Sequence, residues 1–202
     1  DALGLDGQNR LEIVLMQLVR LMRDGEVVRM SKRTGKSITL TDLLDEVSCD
    51  AARYFFNSRA ADTHLEFDLG LAVRQDSENP VYYCQYAHAR ICSILANLER
   101  EGIEIGKTPD LSILTSKEEL DLIREVAKLP EEIRLAANDR EPARLNRYAV
   151  NVASAFHKFY GVSRIKDAQP EVRDARVYLI KCAAAVIKNT LSILGVTAPE
   201  QM

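Results

Sequence analysis

The chain lacks most of the features that announce a chemistry. Its four cysteines, Cys49, Cys84, Cys92 and Cys182, include no C-x-x-C pair, which argues against a zinc ribbon and reads as reduced thiols of a cytosolic protein. Only Cys84 and Cys92 lie close together, on a stretch that reads as helix, where they suit small apolar packing positions. No apolar run approaches the roughly 18 residues of a membrane span. His64, His88 and His157 are far apart and none sits in H-E-x-x-H, so no local metal site is indicated and the bland reading is packing or surface histidines. Ser31 has no histidine at nucleophile spacing and no G-x-S-x-G around it, which leaves hydrolase chemistry unsupported. An excess of positive charge is missing too. The formal net charge of −3 excludes a broadly basic nucleic-acid binder of the histone type, so any nucleic acid must meet a local patch.

What is present is ordinary globular material. At 202 residues, with 47% hydrophobic and 28% charged residues, the chain can bury a sizeable core in one or two domains. Up to Ser77 it carries 10 basic and 13 acidic residues; after Ser77 it carries 17 of each. The neutral second part permits a basic face.

Leu11 to Met22, "LEIVLMQLVRLM", is apolar on both parities, which fits a strand buried on both faces or a buried helix. Asp24-Gly25 is a hairpin turn signal, so the segment reads as strand, turn, strand, with Val27-Val28 in the second strand. Thr41 reads as the N-cap of a short helix carrying Leu43, Leu44 and Val47, and a second short helix starts at Asp50 with Ala51, Tyr54 and Phe55 on one side. Asn57 to Ser77 shows no clear period. From Asn79 onward the pattern is helical, with prolines at starts and glycines at ends. Asn79-Pro80 opens a helix to about Arg100, Thr115-Ser116-Lys117-Glu118 resembles a capping box and opens one to Leu129, Pro130 starts a two-turn helix, Pro142 a long one to Gly161, and Pro170 the last, to Gly195. Fold class follows: mainly α, a bundle of about five helices preceded by a small α/β piece, with expected domains 1–77 and 78–202.

Two stretches carry chemistry. In "VRMSKRTGKS", Val28 to Ser37, four cations surround a glycine. The Gly35-Lys36-Ser37 ending suggests a Walker A loop, but Met30 occupies the position of its first glycine, and Ser37-Ile38-Thr39-Leu40 reads as extended rather than as the helix start that phosphate binding needs. A mobile lysine such as Lys32 could still stabilise charge developing on a polyphosphate; by composition alone the loop is a solvated turn. In the last third, aromatics and cations interleave: Arg144, Arg147, Tyr148, His157, Lys158, Tyr160, Arg164 and Lys166. Bases stack on aromatic or guanidinium planes while cations hold phosphates, which makes an RNA face one reading. Core packing is the other, preferred for Tyr148, Phe156 and Phe159, whereas Tyr160 beside Gly161 is expected at the surface.

The blocks "RMSKRTGK", "DAARYFF", "ENPVYYCQYAHARICSIL", "FHKFY" and "LGVTAPEQM", in this order, resemble the class I arginyl-tRNA synthetases of bacterial type along nearly the whole chain, least between Ala96 and Leu114. The resemblance implies that Arg29, Met30, Ser31, Lys32 and Arg33 form this family's version of the KMSKS loop at the ATP site. Lys32 matches its catalytic lysine, while Arg29 and Arg33 stand where the general motif has lysine and serine. It implies that the helical part is an anticodon-binding bundle in which Tyr160, Arg164 and Met202 meet the anticodon loop and Arg90 the tRNA body. Gln201 replaces an arginine often found before that methionine. The implied activity is that of an arginine-tRNA ligase: ATP and L-arginine as substrates with Mg2+ on the phosphates, tRNA(Arg) as partner, no permanently bound cofactor or metal, and a monomer in the cytoplasm. The HIGH signature of a class I catalytic half is absent, and the first residue is Asp1. The chain is therefore expected to be the C-terminal piece of a Rossmann-type enzyme, inactive alone. The rival expectation is a stand-alone helical RNA- or protein-binding module without catalysis.

Overall fold

Asp24 and Gly25 both take positive φ, 53° and 80°, as the central pair of a two-residue hairpin must when its twist is to match that of the flanking strands. They join β1 (Val19–Arg23) to β2 (Glu26–Val27), with Met22 opposite Val27 and Arg23 opposite Glu26. The computed structural model of the chain describes residues 2–28 and 38–202. The basic loop Arg29 to Arg33, with Gly35-Lys36-Ser37, lies outside the described residues.

The expected long first strand is mostly not one. A single turn, α1 (Gly7–Arg10), precedes it, and pairing begins only at Val19. Leu11, Ile13, Val14, Leu15, Met16 and Leu18 are exposed, Leu18 at 83%. Apolarity on both parities signals two buried faces only where other elements cover them, and among the described residues none does. The Gln17 N–H bonds the Ala61 carbonyl at 2.9 Å and Glu12 pairs with Arg140, tying this run to the rest of the chain.

Thr39, not Thr41, caps α2 (Leu40–Glu46): its hydroxyl accepts the Asp42 N–H while the Asp42 carboxylate accepts the Thr39 N–H, a capping box formed two residues earlier than expected. Ser48 caps α3 (Cys49–Phe56), which buries Ala51, Ala52, Tyr54 and Phe55. The segment without a period contains β3 (Leu65–Asp68), whose burial alternates at Leu65 and Phe67, and α4 (Leu69–Val73). The strand is too short to show its alternation above the noise. It pairs parallel with β1, Val19 opposite Leu65, so the sheet order is β2-β1-β3 with α2 and α3 in the crossover that a parallel pair requires.

The five expected helices follow: α5 (Pro80–Arg100), α6 (Lys117–Ala127), α7 (Leu129–Asp139), α8 (Ala143–Val162) and α9 (Pro170–Ile193). Asn79 caps α5 ahead of a proline in the first turn, and Ser116 with Glu119 closes a capping box on α6. The proline of α7 sits at its start, yet the helix runs three turns rather than two because Ile133 and Ala136 continue its buried side. With 59% of the described residues helical, the chain is mainly α.

One apolar core runs from Leu21 and Phe67 through Leu43, Tyr54 and Phe55 into Ile91, Phe156 and Ile187 of the bundle. Two polar residues stitch α3 to α8 inside it. The Tyr54 hydroxyl donates to the Asn146 carbonyl at 3.1 Å, and the Asn146 amide donates to the Tyr54 carbonyl at 2.8 Å. Both side chains are nearly inaccessible, and burial pushes the Tyr54 phenol well above its ordinary range. Asn146→Leu keeps the branched shape but strands the buried Tyr54 carbonyl; urea denaturation is expected to show a loss of about 1–3 kcal/mol with an unchanged m-value.

Candidate nucleic-acid interface

On α5, Tyr82, Tyr86 and Arg90 recur every fourth residue and so share one helix face. The rings of Tyr82 and Tyr86 stack nearly parallel, 8° apart with centroids at 6.1 Å. Arg90 donates from Nη2 to the Tyr86 phenol at 3.0 Å. Its guanidinium carbon lies 4.9 Å from the Tyr86 ring centroid and 5.4 Å from that of Tyr160, contributed by the last turn of α8. Tyr160 stacks on buried Phe156 at 5.9 Å and keeps 38% exposure, so one ring edge is anchored and the rest is open. The cation is thus held among rings contributed by α5 and α8.

His157 packs between Tyr83, at 4.9 Å, and Tyr86, at 6.1 Å. Its buried Nε2 has no hydrogen-bond partner. Burial, aided by the Arg90 charge, pushes the imidazole down to about 4. It is therefore neutral at pH 7 and adds no repulsion beside Arg90. With Asp76, Tyr82 and Arg90 it lines a hollow of about 450 Å³.

A second hollow, about 630 Å³, runs from Tyr160 along residues 161–167 to Ile94 and Asn97 of α5, with Arg164 on its wall. The backbone there is pinned from below: Arg176 donates to the Arg164 carbonyl at 2.6 Å and to the buried Glu119 carboxylate at 2.7 Å. The Arg164 side chain stays exposed.

The expected site residues thus divide. Arg90 and Tyr160 touch, Arg164 shares the hollow with Tyr160, and Met202 is exposed at the end of a tail lying along α5. Of the other interleaved residues, Arg144, Arg147 and Lys166 are tied to Glu132, Glu141 and Glu101. Lys158 faces a different groove, between α6 and α8. Tyr148 is core, its hydroxyl donating to the Glu125 carbonyl at 2.8 Å. Phe156 and Phe159 are core as expected. Tyr82, Tyr83 and Tyr86 were not singled out by sequence reasoning, although the fourfold spacing of Tyr82, Tyr86 and Arg90 was there to be read. Among the described residues no group of three or more His, Cys, Asp or Glu side chains could hold a metal ion, and no helix is long and apolar enough to cross a membrane.

Comparison with known proteins decides the family. The profile of the DALR anticodon binding domain matches residues 84–202, the part that holds Tyr86, Arg90, His157, Tyr160 and Arg164. The chain belongs to the DALR anticodon binding domain family. Proteins named arginine-tRNA ligase resemble the DALR chain over its whole length: one from Caldanaerobacter subterraneus is 55% identical and one from Ruminiclostridium cellulolyticum 51%, in each case over 100% of this chain and 36% of the relative. The DALR chain thus spans a little over a third of the curated relatives it matches. A crystal structure from Campylobacter jejuni, provisionally assigned as an arginyl-tRNA synthetase, superposes with a TM-score of 0.86 at 36% identity, covering 99% of this chain and 43% of that one. Arginyl-tRNA synthetase from Thermus thermophilus shares the fold, with a TM-score of 0.74 at 22% identity over 90% of this chain and 34% of that one.

A histidine whose folded pKa is depressed favours the folded state fully above its unfolded value of about 6.5 and loses that contribution as pH falls toward about 4. The His157 resonance is expected to show no titration in the folded chain above about pH 5, and His157→Phe to flatten the fall in stability between pH 6.5 and 4, measured by denaturation across that window.

Proposed function

We propose that this chain is the C-terminal part of an arginine-tRNA ligase, in which residues 78–202 bind the anticodon region of tRNA(Arg) and residues 1–77 end the catalytic domain and carry its lysine loop. The observation that supports this most directly is the Arg90 guanidinium held against the rings of Tyr86 and Tyr160 beside the hollow walled by Arg164. Exposed aromatic faces next to cations free of carboxylate partners are what the bases of single-stranded RNA loops stack on and their phosphates pair with. In an acidic chain such a local patch is sufficient, because phosphate contacts depend on nearby charge rather than on net charge. Met202, at the free end of the tail, is assigned to the same loop.

In the longer ligase the reaction is arginine, ATP and tRNA(Arg) giving arginyl-tRNA, AMP and pyrophosphate, with Mg2+ accompanying the nucleotide as substrate. Arg29, Met30, Ser31, Lys32 and Arg33 are assigned to the ATP phosphates and Lys32 to stabilising charge on them as the adenylate forms. These residues lie outside the described residues. The neighbours named as ligases are about three times as long as this chain, which accords with an arginine pocket and most of the ATP site lying elsewhere in the polypeptide. The exposed run from Leu11 to Leu18 is assigned to contact with that remainder. The ligase is read as a cytoplasmic monomer, and this chain alone as unable to activate arginine. α3, bonded to the bundle through Tyr54 and Asn146, is the mechanical link between RNA end and loop.

Tyr160→Ala is expected to weaken binding of a tRNA(Arg) anticodon stem-loop by about 1–3 kcal/mol with the helical signal intact, measured by fluorescence anisotropy; unchanged affinity would return Tyr160 to a packing role. In the full-length ligase, Lys32→Ala is expected to lower kcat for ATP–pyrophosphate exchange by orders of magnitude. An effect confined to the KM for ATP would remove the catalytic assignment.

A further inference from the structure

The residues that hold the end of the chain are not those of the RNA face. Gly195 ends α9 at φ +70° so close to α3 that a Cβ there would lie 2.7 Å from Arg53 Nη1. From this turn Val196 is buried and the tail sets off along α5. Asp50, in the first turn of α3, accepts the Thr197 N–H at 3.1 Å through Oδ1. Its Oδ2 accepts both the Thr197 hydroxyl and the Gln85 amide, the latter at 2.8 Å. The same Gln85 nitrogen reaches the Thr197 carbonyl at 3.0 Å. Three residues further along α5, buried His88 lies with Nδ1 2.9 Å from the Pro199 carbonyl; a carbonyl only accepts, so that nitrogen carries the proton.

The contacts advance in step. Thr197 meets Gln85, Pro199 meets His88, and Glu200 lies with Cys92, Leu95 and Ala96 in the groove between α5 and α9. The tail therefore runs toward the C-terminal half of α5 on its α9 side, while Ile94 and Asn97 of the same half line the hollow beside Tyr160 and Arg164 on the opposite side of the helix. Met202, 53% exposed, is the last residue of the tail.

We infer that Asp50 and His88 are positioning residues that latch the terminal tail onto α5 and so present Met202 to the bound RNA. The inference rests on the RNA-binding reading above. A seven-residue tail without helix or strand would have to be ordered at the moment of binding, and that ordering opposes affinity; a tail already held by four polar bonds binds without it. Asp50 lies outside the matched domain, on the helix that Tyr54 bonds to α8. The RNA end of the molecule is thus set by an element of the preceding α/β part, which gives α3 a direct hold on recognition.

The test uses the 202-residue chain, a tRNA(Arg) anticodon stem-loop as probe, and two readouts: stem-loop affinity and hydrogen exchange at the Thr197 amide. Asp50→Ala, deletion of Gln201 and Met202, and their combination are compared. Asp50→Ala is expected to speed Thr197 exchange by ~10-fold or more while α5 and α8 amides keep their protection. It is expected to weaken binding by no more than the deletion does, and the combined variant to bind no worse than the deletion alone, because both remove one interaction. Unchanged Thr197 exchange, or losses that multiply in the combined variant, would overturn the latch. Should Asp50→Ala not fold, Thr197→Val, which removes only the hydroxyl, and Asp50→Asn, which keeps one carbonyl acceptor, are read by the same two criteria, with Asp50→Asn intermediate. Failure of the unaltered chain to bind the stem-loop would overturn the RNA reading and with it the presentation of Met202. Exchange at Thr197 needs no RNA, so it separates that failure from a tail that Asp50 does not hold.

Discussion

The exchange of hydrogen bonds between Tyr54 and Asn146 is the joint on which the rest of the molecule turns. α3 has only eight residues, too few for a helix to persist by its own hydrogen bonds, so its place must come from tertiary contacts. Each partner satisfies the other's backbone carbonyl inside an apolar core, where an unpaired carbonyl would be costly. Because the bonds run to main-chain atoms, they specify the register of α3 against α8 and not merely the proximity of two side chains. Once α3 is placed, its other residues have addresses: Phe55 and Phe56 against Phe67 of the sheet, Arg53 beneath Gly195, Asp50 under the tail.

The face proposed for RNA shows how an acidic chain can present cations. Most of the basic side chains in the last third are neutralised locally, Arg144 by Glu132, Arg147 by Glu141 and Lys166 by Glu101, in exposed or half-exposed pairs that contribute little to stability. Arg90 is engaged by aromatic rings instead of a carboxylate, so its charge remains available. His157, kept neutral by burial, fills the space behind it without competing for an anion. Arg164 is presented differently: its carbonyl, not its side chain, is what Arg176 grips. The backbone is held at Arg164 while its side chain stays exposed.

Much of this was legible in the chain itself. The five bundle helices, the Asp24-Gly25 hairpin and the surface position of Tyr160 follow from prolines, glycines, caps and helical spacing, all of which act within a few residues. β3 was hidden because four residues give only two alternations, and the cap of α2 was misplaced because Thr39 and Thr41 are both competent and Asp42 chooses between them by reaching back. Leu11 to Leu18 misled for a different reason. Its pattern reports burial, and burial depends on partners that no local pattern supplies.

What the sequence by itself determined is the set of bundle helices, their order, and the residue types able to meet RNA, because backbone propensity and side-chain chemistry are properties of short stretches. Which of those residues act together was decided only by the tertiary structure. Arg90 and Tyr160 are 70 positions apart, and Asp50 and Thr197 are 147 apart. Nothing local encodes such pairs; they meet because apolar faces of α5, α8 and α9 bury against one another and bring α3 and the tail to the same surface.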